Sequence, residues 1–86
     1  MKYRSRTDIC SRILEAANGG ATKTRIMYNA YLSYAQLKEY LGVLMENGLL
    51  EYMEGEQKYR TSEKGLQFLR AYEHMSRMTG PMRASG

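Results

Sequence analysis

The first apolar positions fall three and four residues apart: Ile9, Cys10, Ile13, Leu14 and Ala17. That spacing lays them on one stripe of a helix over roughly residues 7–17, with Thr7 or Ser5 as its N-cap. Asn18-Gly19-Gly20 ends the stripe in residues that accept the left-handed conformation of a helix C-terminus. Thr22 is the next cap, and a short helix over about 23–30 turns Ile26, Met27 and Ala30 inward. Ser33 and Gln36 then form an S-x-x-Q capping box. It opens a helix over 33–47 with Leu37, Leu41, Leu44 and Met45 on its inner side. Gly42, in the middle of that helix, costs about 1 kcal/mol relative to alanine, which implies close approach by another element.

From residue 49 the period falls to two. Leu50 and Tyr52 alternate with Glu51 and Met53, and Gly55-Glu56 suits the central positions of a type II′ hairpin turn. That turn sets Tyr52 against Tyr59 and Leu50 against Thr61 on one side, Glu51 against Arg60 and Met53 against Lys58 on the other. Thr61 or Ser62 caps a last helix over 62–79, which Gly80-Pro81 is expected to stop, leaving 80–86 as a disordered tail.

The order is helix, helix, helix, β-hairpin, helix. This mainly α (α+β) plan is that of a winged helix-turn-helix: three helices and a two-stranded wing over residues 1–61, continuous with a C-terminal helix over 62–79. In that plan the third helix enters the major groove of DNA, which is wide enough for one helix.

The stretch LSYAQLKEYLGVLMENGLLEYMEGEQKYRTSEKGLQFL resembles archaeal winged-helix transcriptional regulators and their small chromatin-associated relatives. The likeness is carried by the capped helix after Leu32, by Gly48-Leu49-Leu50 leading into the wing, and by Thr61-Ser62-Glu63-Lys64-Gly65 opening the last helix. It spans roughly residues 5–78. The resemblance implies DNA binding and a homodimer formed through an antiparallel coiled coil of last helices. Two features depart from the family. The last helix is short, about 18 residues or ~27 Å, and the wing tip carries Glu54 and Glu56, which repel phosphate.

Charge sharpens this picture. Of 86 residues, 13 are Lys or Arg and 9 Asp or Glu, a net charge of +4. The excess is unevenly placed: residues 1–38 carry +5, residues 39–57 carry five Glu and no base, and residues 58–86 carry +4. The basic ends suit a polyanion; the acidic middle does not. Cys10 is alone, which excludes an intrachain disulfide or a cysteine-based zinc site and fits a reducing, intracellular setting. The start MKYRSRTD lacks the apolar stretch of a signal peptide, and no apolar run approaches the 18 residues of a membrane span.

Candidate chemistry follows from the fold plan. Ser33, Tyr34, Gln36 and Lys38 sit on the first turns of the third helix as base-contacting candidates. Gln bonds adenine edges, Lys reaches guanine or phosphate, and Tyr packs on a thymine methyl. Against this stands a solvated polar face, and Gln36 is also the partner of the capping box. Lys23, Arg25, Lys58 and Arg60 are candidate phosphate clamps, with Arg60 equally suited to a cross-strand pair with Glu51. Arg4 and Arg6 form a candidate basic arm. On the last helix, Gly65, Phe68, Tyr72, Met75 and Thr79 repeat at four and three. Phe68, Tyr72 and Met75 are expected at a dimer seam, with Leu66 and Leu69 covering the domain's own core. His74 has no companion for a metal site, and no nucleophile–base set or phosphate-cradling loop points to an enzyme or a cofactor.

The expected function is a homodimeric transcriptional regulator that reads a pseudo-palindromic double-stranded DNA site, cytoplasmic and nucleoid-associated. A low-specificity chromatin protein would use the same basic surface, and a protein-interaction module would use the acidic block instead.

Overall fold

The computed structural model describes the backbone of residues 5–85 and the side chains of residues 5–78. Four helices, α1 (Arg6–Ala17), α2 (Lys23–Ala30), α3 (Tyr34–Glu46) and α4 (Glu63–Ser85), enclose an antiparallel hairpin of β1 (Leu50–Met53) and β2 (Lys58–Thr61).

Each of the first three helices starts where a short polar side chain satisfies an N–H that the helix itself leaves unpaired. Ser5 Oγ accepts from Asp8 N at 3.0 Å, and Asp8 Oδ2 accepts in return from Ser5 N at 3.3 Å. Thr22 Oγ1 accepts from Arg25 N at 3.3 Å. Ser33 Oγ accepts from Gln36 N at 3.2 Å, and Gln36 Oε1 accepts from Ser33 N at 3.0 Å.

The core lies where the inner stripes of the first three helices meet: Ile13, Leu14 and Ala17, then Ile26 and Ala30, then Leu37, Leu41 and Leu44, closed by Leu50 from the hairpin. Ile9, Cys10 and Met27 are only half-buried at its edge. Met45 is not an inner residue. It is 41% exposed, and Tyr40 takes the buried place. The inner stripe turns through Leu37, Tyr40, Leu41 and Leu44, and Met45 falls on its flank. Gly42 is exposed, and a Cβ there would meet nothing within 4 Å, so no element of this chain approaches it.

The strand register is the one the alternation predicts: Leu50 opposite Thr61, Glu51 opposite Arg60, Tyr52 opposite Tyr59, Met53 opposite Lys58. The turn differs. Gly55 does not take positive φ; Gln57 does, at 54°. Glu56 N donates to Met53 O at 3.1 Å and Gln57 N to Glu54 O at 3.4 Å. The connection is therefore a four-residue loop of overlapping turns closed by a left-handed residue. Register survives because Glu54 and Gln57 leave the ladder as a pair, so no strand residue changes face. Ala21 adds a third rung that the sequence did not announce: Ala21 N donates to Tyr59 O at 2.9 Å and Tyr59 N to Ala21 O at 2.8 Å.

Helix α4 leaves the wing through a tight junction. Thr61 Oγ1 donates to Leu14 O at 2.5 Å, satisfying a carbonyl of the last turn of α1. Ser62 Oγ donates to Gly48 O at 2.6 Å and accepts from Gly65 N at 3.0 Å. Gly65 is buried against the Leu49 carbonyl and the Thr61 methyl, so it belongs to this junction and not to an outward seam. Phe68 and Leu69 are half-buried on the core, whereas Leu66 is not part of that packing. The inner face of α4 is thus rotated toward Gly65, Phe68, Leu69 and Tyr72. The backbone also remains helical past Gly80-Pro81 to Ser85. A proline removes one N–H bond and bends a helix, and the turns on either side keep their own bonds. At 23 residues the helix is about 34 Å long. It draws the molecule out to 46 × 26 × 19 Å.

Candidate nucleic-acid interface

The N-terminal turns of α2 and α3 and the outer face of the wing lie side by side. The bridge between Ala21 and Tyr59 fixes this, because it holds the start of α2 against β2. A Cβ on Gly20 would stand 3.9 Å from the Lys58 side chain. From there the surface passes through Thr22 to Lys23, whose Nζ lies 5.3 Å from the ring centroid of Tyr34 on α3. Lys58, Lys23 and Tyr34 therefore form one run across three elements. Lys38, one turn after Tyr34, is exposed on the same helix, and Arg25 is exposed on α2.

The remaining candidates behave differently. Ser33 and Gln36 are both held by the capping box. The Gln36 carbonyl oxygen is occupied, which leaves its NH2 group to reach outward and removes the two-point contact with adenine unless the cap opens. Arg60 pairs with Glu51 at 3.2 Å on the exposed side of the wing. An exposed pair of this kind contributes well under ~1 kcal/mol and yields readily to a phosphate, but at rest Arg60 is half neutralised. Arg6 is not part of an extended arm. It is the first residue of α1, and its guanidinium carbon lies 5.3 Å from the Tyr40 ring centroid. Arg4 lies outside the described residues.

The aromatic residues around this surface were not legible from spacing. Tyr28, Tyr31 and Tyr34 are 72%, 73% and 54% exposed. Arg12 lies over the Tyr31 ring at 5.6 Å. Contacts between a cation on one helix and a ring on another depend on helix crossing, which no short sequence window contains.

On α4, Met75 is 56% exposed, and Met78 is exposed beside it. Tyr72 is turned partly inward, its hydroxyl donating to Asp8 Oδ1, so it ties α4 to α1. Thr79 has no described side chain. Leu66, Leu69 and Tyr72 line a cleft between α1 and α4 with Glu15, Arg70 and Glu73 at its polar parts. Burial pushes the Cys10 thiol up, and the nearby Arg6 guanidinium only partly offsets it, so the group is a thiol and a poor nucleophile at neutral pH. Among the described residues no group of His, Cys, Asp and Glu is placed to hold a metal ion. None of the described helices is long and apolar enough to cross a membrane.

The winged helix-turn-helix family model matches residues 3–80. Curated protein sequences give no match. Among solved structures, the chain is similar to that of Sso10a-2, a DNA-binding protein from Sulfolobus solfataricus, with a TM-score of 0.84 and 23% identity over 95% of this chain and 88% of that one. At that identity the likeness is one of fold.

Proposed function

We propose that this chain, which belongs to the winged helix-turn-helix family, binds double-stranded DNA as a homodimeric transcriptional regulator, with α3 in the major groove of each half of a pseudo-palindromic site. The observation that carries the reading is the continuous run of Lys58, Lys23 and Tyr34, which places two ammonium groups beside the exposed N-terminal turns of α3. A helix seated in a groove has phosphates on both flanks, and cations just outside its first turn are where backbone contacts fall. The DNA-binding description of Sso10a-2 supports the same reading.

In it, Tyr34 and Lys38 take base edges, Gln36 contributes its amide NH2, and Lys23, Arg25 and Lys58 hold phosphates. Arg60 joins them after release from Glu51, and Arg6 contributes from the start of α1. The capping of Gln36 favours a second reading, a chromatin protein with the same backbone contacts and little base preference. A mobility shift against a randomised duplex pool at two salt concentrations, with the bound fraction sequenced, separates them. An enriched palindrome supports the regulator, and tight binding without enrichment supports the coat. An absence of binding at low salt sinks both and turns attention to the acidic wing as a protein contact. Within the regulator reading, Lys38→Ala lowers affinity for the selected site by roughly tenfold and leaves random duplex nearly unchanged.

Dimerisation is proposed through the outer side of α4. Met75 is the residue to test, since Phe68 and Tyr72 also serve the domain's own packing. Met75→Glu is expected to halve the molecular mass in solution by light scattering with no loss of helicity. A mass equal to that of the unsubstituted protein would place the interface elsewhere.

A further inference from the structure

The turn between α2 and α3 carries an unusual residue. Tyr31 caps α2 in the left-handed conformation, φ 55° and ψ 51°. Its N–H donates to Tyr28 O at 3.2 Å, and Leu32 N donates to Met27 O at 3.1 Å, closing the helix as a glycine-terminated helix closes. Glycine and asparagine take this position readily; a bulky L-residue is disfavoured there. The ring gains no burial in return, being the most exposed large side chain beside Tyr28. Strain held on an exposed residue two positions before the cap of α3 points to work done outside the chain.

Arg12 supplies the second observation. It comes from α1, and its guanidinium lies over the Tyr31 ring at 5.6 Å. It makes no hydrogen bond or ion pair among the described residues, although Glu15 is one turn away on the same helix. A guanidinium held against a ring face keeps its N–H fork available, and that fork matches phosphate oxygens. Arg12, Tyr31 and Asn29 line one cleft. Glu15 lines it as well, which places an anion at the Arg12–Tyr31 side instead of filling the cleft.

We infer that Arg12 and Tyr31 form a further phosphate-binding site, which carries the DNA contact from the first turn of α3 across the α2–α3 turn onto α1. The inference rests on the DNA-binding reading. Lys58 and Lys23 grip backbone on the wing side of α3, and Arg12 with the Tyr31 hydroxyl grips it beyond the turn. The strained capping conformation points the phenol outward, and the ring in turn keeps Arg12 from ranging over solvent.

The test is fluorescence anisotropy on a labelled random-sequence duplex with Arg12→Gln and Tyr31→Asn, over a series of salt concentrations, with thermal melts alongside. Arg12→Gln loses one phosphate contact. The slope of log K against log salt becomes shallower by about 0.9, and affinity at physiological salt falls about fivefold. Tyr31→Asn loses a neutral donor, so affinity falls about fivefold with the slope unchanged. Its thermal midpoint stays or rises, because asparagine suits the left-handed position. A role in stability alone would move the melt and leave binding untouched. If the unsubstituted protein binds with salt dependence and both variants match it in affinity and slope, the site is wrong and the DNA reading stands. If the unsubstituted protein does not bind at low salt, the DNA reading fails and the site with it.

Discussion

Gly65→Ala is expected to lower the thermal midpoint by roughly 10–20 °C, the largest stability effect of any single methyl group added to this chain. The new Cβ would stand 2.6 Å from the Thr61 methyl and closer still to the Leu49 carbonyl oxygen. Neither neighbour is free to retreat. The Leu49 carbonyl accepts from Ser62 N at 3.0 Å, and Thr61 is held by its 2.5 Å bond to Leu14 O. Relief therefore means breaking a bond at the wing–α4 junction or moving α4 off the domain. Overpacking of this kind costs about 3 kcal/mol, and a domain this small has only about 4–13 kcal/mol of stability to lose. The companion variant is Gly42→Ala, the same chemical change in an open helix position. It is expected to stabilise by about 1 kcal/mol through helix propensity. Opposite shifts in two calorimetric scans would establish that the junction, not glycine content, sets the sign. A Gly65→Ala midpoint within a few degrees of the original would mean the junction relaxes freely.

Those two glycines also mark the boundary of what the chain discloses by itself. From spacing, Gly42 looked like the site of close approach and Gly65 like a member of an outward seam. The packing reverses both, because the need for a glycine is decided by the backbone that crosses it. Local rules fared better where their causes are local. Ser33 and Gln36 meet across three residues, so the capping box could be read directly, and with it the start of α3. The hairpin register followed from alternation and opposite charges even though the turn type did not, since pairing fixes which residues oppose and the loop only has to join them. Tyr40 and Met45 were exchanged because the inner stripe of a 3.6-residue helix drifts, and the hydropathy of a tyrosine does not say how much of it is covered.

The candidate site divides along the same line. Lys38 and Arg25 sit exposed where helix position alone would put them. Gln36 was readable in both of its roles, and the structure shows its oxygen in the cap. The partner of Arg60 was readable too, because cross-strand neighbours follow from register. Arg12 and Tyr31 were not, nor was the reach of Lys23 to Tyr34, because these contacts join separate helices through the fold. The Ala21 rung belongs with them: a single residue pairing with a strand leaves no alternation to find, yet it sets the start of α2 beside the wing.

That rung is why the double substitution Lys23→Ala/Lys58→Ala should have the largest effect on binding. The two side chains come from positions far apart in sequence and stand together beside α3. Each phosphate contact contributes about 0.9 to the slope of log K against log salt, so losing both removes about 1.8. Extrapolated from 1 M to physiological salt, a slope change of that size weakens binding about thirtyfold. The loss should be equal for a selected site and for random duplex, since phosphates carry no sequence. Neither lysine is buried in the core, so helicity and melting should hold. Anisotropy titrations at four salt concentrations on both duplexes read all of this at once. An unchanged slope would mean that these lysines face solvent in the complex and that the wing side of α3 is not where the backbone lies. A loss confined to the selected site would give them base contacts instead, and would move the centre of recognition from α3 to the junction of α2 with the wing.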